Sequence, residues 1–332
     1  MADGQNLEQP WKEWQPGARI SEERTTGPEQ TETEGNQKGL NGKTLCITEV
    51  MAAGVGNRDV CTVFPYLARN VLYGKQKPFA TDFIPSISDV PLTNHHFDFM
   101  DVVVLDARPS RESFVLEEHG FCFPKSNTTL TCVSADDPKY VEEHYYPEIE
   151  EALLLEFPEY TRVECLDHQV RKRSHLFPEY PGAIVTSAQP AVLPHTDFST
   201  HGCFMGMHGF FPGQEVFYKE RDFDILNVWR VLRGPNNDWP LAVCDHRTID
   251  HPHDVIANDV LHEDFVGENW LLHKSSMHSW YYLSDQCIED LIVFRNTDSK
   301  GVRPRAFHAA FDSGVAGTQP RHSIEVRIAA FR

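Results

Sequence analysis

Basic residues are scarce in this chain. Its 332 residues hold 30 Lys and Arg against 49 Asp and Glu, a formal net charge of −19. A surface of that sign repels phosphate, which argues against nucleic acid and anionic membrane as partners. Long apolar runs are missing too: nothing approaches the roughly 20 residues of a membrane span. The opening Met1-Ala2-Asp3-Gly4-Gln5 lacks the basic and apolar regions of a secretion signal. The eight Cys form no C-x-x-C pair and are scattered through apolar stretches, the distribution of reduced, buried thiols. A cytoplasmic setting is therefore expected, while the charge says nothing specific about a small substrate. The sequence shows no Gly-rich nucleotide loop and no internal repeat, and specifies no oligomeric state.

Residues 21–38 contain no Leu, Ile, Val or Phe. Such a segment cannot bury enough apolar surface to offset its ordering entropy. Residues 1–40 are expected to be a flexible tail, with Trp11 and Trp14 as its anchors, and residues 41–332 a single domain. Strands are expected at 45–50 and 101–105. A helix is expected over 141–156, where Val141, Tyr145, Ile149 and Leu153 recur every fourth residue. Beyond it, short β-type runs broken by Gly, Pro and Asn cover 183–187, 209–211, 216–218, 224–232, 240–243, 279–283, 291–294 and 323–331. That texture predicts a mainly-β sandwich, jelly roll or barrel, with an N-terminal α/β cap over about 41–180.

Two His and one carboxylate are the ligand set of a non-haem Fe(II) centre with open coordination positions. H-x-D occurs three times, at His96/Asp98, His195/Asp197 and His262/Asp264. On a strand, residues i and i+2 point to the same side, so each could present both groups to one metal. Context favours His195 and Asp197: an apolar run, Ala191-Val192-Leu193-Pro194, delivers them to a strand end, and a polar break follows. His262/Asp264, in an acidic loop-like stretch, is the runner-up. The third ligand must come from a distant strand, and His308 fits, flanked by Phe307 and Phe311 with Arg321 thirteen residues later.

Of four R-x-S triplets, only Arg321/Ser323 lies shortly after a candidate ligand. From there Ile324, Val326 and Ile328 alternate with Arg321, Ser323, Glu325 and Arg327, which predicts a polar inner face. Arg321 is expected to hold the far carboxylate of 2-oxoglutarate, with one hydrogen bond from Ser323; Arg327 is the substitute if the register differs. Alternation also offers Asn227 and Trp229, and His278, Trp280 and Tyr282, as substrate-pocket residues. Arg230 would meet an acidic substrate or a surface acid. His201 and His208, near the proposed site, are read either as pocket residues or as supports behind the ligands. The cluster Cys244-Asp245-His246 and His251-Pro252-His253-Asp254 matches no zinc spacing and is read as a turn with solvated histidines.

Several motifs follow one another in order: Asn227-Val228-Trp229-Arg230, the stretch 238–245, His278-Ser279-Trp280-Tyr281-Tyr282-Leu283, Asp298-Ser299, and 321–327, preceded by Tyr145-Tyr146-Pro147-Glu148 and 167–173. This succession, over roughly residues 100–332, resembles the fungal hydroxylase/desaturase family that includes gibberellin desaturase-like and aspergillic acid-type enzymes. The resemblance implies a double-stranded β-helix (a cupin-like jelly roll) using Fe(II), 2-oxoglutarate and O2 in secondary metabolism, to hydroxylate, desaturate or rearrange a small molecule. It places iron on His195, Asp197 and His308, and 2-oxoglutarate on Arg321 and Ser323. Val231 stands where relatives often carry Pro, and His322 where an acid is common. The alternatives are a cupin-type metal enzyme without 2-oxoglutarate and a non-catalytic jelly-roll binding protein.

Overall fold

The computed structural model describes residues 58–83, 91–179, 187–315 and 319–332. The expected tail, its two tryptophans, the strand at 45–50 and nearly all of 183–187 lie outside the described residues. Two five-stranded sheets face each other. The first runs in the order β1 (Val60–Leu67), β3 (Phe97–Asp106), β10 (Trp280–Tyr282), β7 (Leu241–Cys244), β12 (His308–Ala310). The second runs β4 (Phe121–Cys122), β11 (Ile292–Asp298), β6 (Phe223–Val231), β13 (His322–Phe331), β5 (Arg162–Lys172). A smaller sheet joins β2 (Phe79–Thr81) to the hairpin β8 (Val255–Leu261) and β9 (Val266–Leu272).

Period-two patterning decides which side chains meet between the sheets. Leu241, Val243 and Tyr281 of the first sheet pack with Trp229, Val231, Ile292 and Phe294 of the second. The alternate residues face outward and are buried as well. Leu226, Val228, Ile324, Val326 and Ile328 meet Val141, Tyr145, Ile149 and Leu153 of the helical segment, as the fourfold spacing predicts. Burial of each such side chain stabilises the fold by about 1.5–3 kcal/mol. That segment is not uniform: Val141–Tyr145 is a π turn leading into the α-helix Tyr146–Glu156. Pro147 stands where the π turn passes into the α-helix, so the N–H it lacks falls at the change of hydrogen-bond register.

Two expected strands are helices. Thr200–Phe210 replaces the strand at 209–211, and Glu215–Lys219 the one at 216–218. Ser199 caps the first, its side chain accepting from the Gly202 N–H at 2.8 Å. Cys203 and Met207, one turn apart, are buried with Phe211, Phe223 and Phe331. The apolar spacing there is helical, and the β-propensity of isolated Phe, Val and Tyr is overridden by packing. A carbonyl fixes the site of closest approach: a Cβ on Gly202 would lie 1.9 Å from the Glu268 oxygen of β9. The helix therefore sits directly on the β8–β9 hairpin.

Candidate metal centre

His195 is tied to β12 by two reciprocal backbone bonds: its N–H donates to the His308 carbonyl at 3.2 Å, and the His308 N–H donates back at 2.9 Å. The two imidazoles consequently lie side by side, ring centroids 4.3 Å apart. Asp197, two residues on, turns to the same side. One ligand atom from each of His195, Asp197 and His308 lies within 4.8 Å of the others, and all three residues are buried. Asp197 Oδ1 is 3.5 Å from His195 Nε2 and 3.7 Å from His308 Nε2.

The partners of these groups leave the right atoms available. His195 Nδ1 lies 2.6 Å from the Leu193 carbonyl, so Nδ1 carries the proton and Nε2 keeps its lone pair. Asp197 Oδ2 accepts from Asn227 Nδ2 at 2.7 Å, whereas Oδ1 is buried without a hydrogen-bond partner among the described residues. Burial works to raise the Asp197 carboxyl, but His195, His308 and Arg327 outweigh it and hold it well below the usual carboxylate range. Burial, and then His195, push His308 well below the ordinary imidazole value, against the pull of Asp197. Two imidazoles around an ionised carboxylate, one of whose oxygens has no hydrogen-bond partner among the described residues, have the donor chemistry of a divalent-cation site.

Asn296, which sequence reasoning did not single out, and Glu325, which it placed on the polar inner face, complete this arrangement. Asn296 accepts from the Asp197 N–H at 2.9 Å and donates to Asn227 Oδ1 at 2.7 Å. It stands at a register shift in β11, between Arg295 and Thr297. A bulge re-aims a side chain, and no sequence pattern announces it. Glu325 faces the same interior: burial and then Asp197 push its carboxyl up to about 8, against Arg171 and Arg327.

The arginines divide by their partners. Arg327 is engaged by both oxygens of Asp167, with Nε to Oδ1 at 2.6 Å. Arg321 donates Nη1 to the Trp239 carbonyl at 2.6 Å and lies over the Trp229 ring. Its Nε and the Ser323 hydroxyl are buried without partners among the described residues. Burial and the neighbouring Arg171 push the Arg321 guanidinium down to about 9. Arg171 pairs with Ser323 in register across β5 and β13, is itself buried, and donates Nη1 to the Gln189 carbonyl at 2.7 Å. Buried cationic donors with unused capacity form a cradle suited to an anionic carboxylate.

The remaining expected residues separate. Asn227 orients Asp197 instead of lining a pocket, and Trp229 packs between the sheets beneath Arg321. His278 and Trp280 are not brought to the triad. Trp280 lies with Ala242, Phe307 and Ala309 on the face of the first sheet opposite to His308, its indole donating to the Tyr66 hydroxyl at 2.9 Å. Tyr282 belongs to that same cluster. His278 contacts Asp254 at 3.2 Å and the Tyr66 hydroxyl at 3.4 Å. Arg230 is a structural cation, donating to the Leu130 and Ile288 carbonyls. His201 and His208 are exposed. His96 is exposed, and Asp98 pairs with Lys274 at 2.7 Å. His246 and His251 are not solvated: they bond each other at 3.1 Å and are partly buried.

Beside Asp197 a cavity of about 420 Å³ opens between the helix Thr200–Phe210 and the hairpin β8–β9, with Phe198, Met205, Phe210, Phe265 and Arg327 on its walls. Its size is that of a small-molecule site. Among the described residues no helix is long and apolar enough to cross a membrane.

The chain is similar to known proteins over most of its length. A family model described as an oxidoreductase/YMDC permease-like domain matches residues 65–331. The Fe(II)/2-oxoglutarate-dependent dioxygenase NvfI of Aspergillus novofumigatus is 32% identical over 244 residues, 68% of this chain and 81% of that protein. The hydroxylase/desaturase EfuI of Hormonema carpetanum is 26% identical over 260 residues, 72% of this chain and 86% of its own length. Among solved structures, a single-residue variant of the iron and alpha-ketoglutarate-dependent endoperoxidase NvfI superposes with a TM-score of 0.73 at 27% identity, covering 84% of this chain and 99% of that one. The two facing sheets are thus those of a double-stranded β-helix.

Proposed function

Since the chain belongs to the family of fungal Fe(II)/2-oxoglutarate-dependent oxygenases, we propose that it hydroxylates, desaturates or rearranges a small-molecule intermediate of secondary metabolism at the centre described above. The observation that carries this reading is the convergence of His195, Asp197 and His308, with Asp197 Oδ1 buried between two imidazoles and without a hydrogen-bond partner among the described residues. These three residues would hold Fe(II), and Arg321 with Ser323 would hold the distal carboxylate of 2-oxoglutarate. Arg321 is favoured over Arg327 because Asp167 already engages the Arg327 guanidinium. When bound, iron, 2-oxoglutarate and O2 supply an oxidant able to remove hydrogen from an unactivated carbon, leaving succinate and CO2.

The chain's own residues account for the setting. Leu193 fixes the His195 tautomer, and Asn227 and Asn296 hold the Asp197 carboxylate from its other oxygen and its N–H. The apolar walls contributed by Phe198, Met205, Phe210 and Phe265 exclude water beside Asp197 and leave room for the substrate. In this reading residues 1–40 are a tail and 41–332 one jelly-roll oxygenase domain. Its N-terminal part, to about residue 180, serves as an α/β cap: it lends strands to the edges of both sheets and the helix Tyr146–Glu156 to an outer face.

The test is anaerobic reconstitution of the full chain with Fe(II), followed by 2-oxoglutarate and O2. One iron per chain and 2-oxoglutarate-dependent succinate formation are expected, both abolished in Asp197→Ala. Retention of iron and activity in that variant would overturn the assignment, and turnover without the keto acid would favour a cupin-type enzyme.

A further inference from the structure

The runner-up H-x-D pair does not bind with itself. His262 Nδ1 instead bonds the Asp82 carboxylate, 180 positions away. The backbone makes this meeting obligatory: Phe79–Thr81 runs parallel to Val255–Leu261, Thr81 opposite Leu261, and the Asp82 N–H donates to the Leu261 carbonyl at 3.1 Å. Asp82 and His262 thus leave two adjacent strands side by side. Both side chains are largely buried, 13% and 9% exposed, and both line the cavity that Asp197 also lines.

The chemistry of the pair is specific. A carboxylate at Nδ1 fixes that nitrogen as the donor and leaves Nε2 as an acceptor. The ring is held in place by stacking on Phe265, 3.8 Å between centroids and 18° between planes. Nε2 makes no hydrogen bond to any described residue, and the space it faces is kept open by Gly267, where a Cβ would lie 3.6 Å away. Around it the walls are apolar: Phe83, Phe198, Met205, Phe210, Val260 and Phe265. The charged groups at the same wall are mainly acidic, Glu263, Asp264 and Glu268, with Arg327 held by Asp167. An imidazole acceptor set among apolar side chains and acidic groups accepts a hydroxyl and disfavours a carboxylate.

We infer that His262, oriented by Asp82, is a specificity-determining residue that accepts a hydrogen bond from a hydroxyl of a neutral, largely apolar substrate. The inference rests on the reading above that this cavity is the reaction chamber, and adds the substrate's class to it. The probes are three rigid cages of one shape: 1-adamantanol, adamantane and adamantane-1-carboxylate. Each is titrated into the anaerobic Fe(II)·2-oxoglutarate protein, with binding read by NMR of the probe. Wild type is expected to prefer the alcohol over the hydrocarbon by about fivefold, the order of one neutral hydrogen bond, and to bind the carboxylate weakest. His262→Phe keeps the stack on Phe265 and should erase the alcohol preference while still binding the hydrocarbon; His262→Gln, which retains an acceptor, should restore part of it. No alcohol preference in wild type, or an unchanged preference in His262→Phe, overturns the inference. Paramagnetic broadening of the bound probe by Fe(II) reports separately on the chamber. A probe that binds with the His262-dependent preference but is not broadened would sink the reading of the cavity and leave the hydroxyl site standing.

Discussion

Asn227 Nδ2 donates to Asp197 Oδ2 at 2.7 Å, and both residues are buried. The bond reaches across from β6 and takes up one carboxylate oxygen, so that only the other turns toward His195 and His308. Asn227 is itself held by Asn296 at 2.7 Å. A group that orients a metal ligand typically contributes 10–100-fold to metal affinity. Asn227→Ala is therefore expected to weaken Fe(II) binding by about that factor while leaving the fold intact. Asn296→Ala should do the same through Asn227. Anaerobic metal titration checks both, and wild-type affinity in both variants would show that the network is decorative.

Arg321 and Arg327 predict opposite phenotypes. Arg321 Nε and the Ser323 hydroxyl have no hydrogen-bond partner among the described residues, so Arg321→Leu should raise the dissociation constant for 2-oxoglutarate by roughly tenfold or more, the range of a charged hydrogen bond. Ser323→Ala should cost a few-fold. Arg327→Leu removes the cation from Asp167 and should lower the melting temperature first, with a smaller effect on 2-oxoglutarate. Calorimetry with the keto acid under anaerobic conditions, beside a thermal melt, separates the two; the reverse pattern moves the cosubstrate to Arg327.

The meeting of His195, Asp197 and His308 was legible because chemistry restricts it: few residue types bind iron, and i, i+2 spacing on a strand orients two of them. The strand from Arg321 onward was legible because its inner and outer faces alternate strictly. Asn296 was hidden because a bulge, not a period, turns it inward. The Asp82–His262 pair was hidden because its members are neighbours only through parallel pairing of β2 with β8. Trp280 and Tyr282 share a face of β10 as alternation requires, but alternation cannot say which face is the inner one. The helix Thr200–Phe210 was misread because its Gly and Phe residues mimic a broken strand, whereas the period that mattered joins Cys203, Met207 and Phe211.

The seat of that helix yields a sharp contrast between two glycines. A methyl on Gly202 would stand 1.9 Å from the Glu268 carbonyl oxygen, a backbone atom that cannot step aside. A methyl on Gly206 would meet the end of the Phe198 ring at 3.0 Å, which can rotate. Gly202→Ala is expected to destabilise by about 2 kcal/mol or more through overpacking and to separate the helix from the hairpin. Gly206→Ala should be nearly neutral for stability and narrow the cavity. Urea unfolding of the two variants decides it: equal stabilities would mean the helix shifts freely on β9.

One buried and one partly buried histidine, His322 and His251, should make the fold acid-sensitive. Burial, then Arg305 and His246, push His251 down to about 4, against Asp254 and Asp250. Burial, then Lys172 and Arg233, push His322 down to about 4, against Asp136. In the unfolded chain both titrate near 6.5. Between about pH 6.5 and 4 the unfolded state therefore binds more protons than the folded one, and stability must fall as pH falls. Each contributes a slope of up to about 1 kcal/mol per pH unit, smaller for His251, whose partial exposure screens it. Below about pH 4 both states are protonated at these sites and their contribution levels off. Unfolding free energies measured from pH 7 to 4.5 should show this decline, and His322→Gln should remove the larger share of it, because Gln carries no proton to be refused. A pH slope identical in wild type, His251→Gln and His322→Gln would mean that both imidazoles titrate in the folded protein as they do in the unfolded chain, and that neither burial nor Arg305 and Lys172 acts on them.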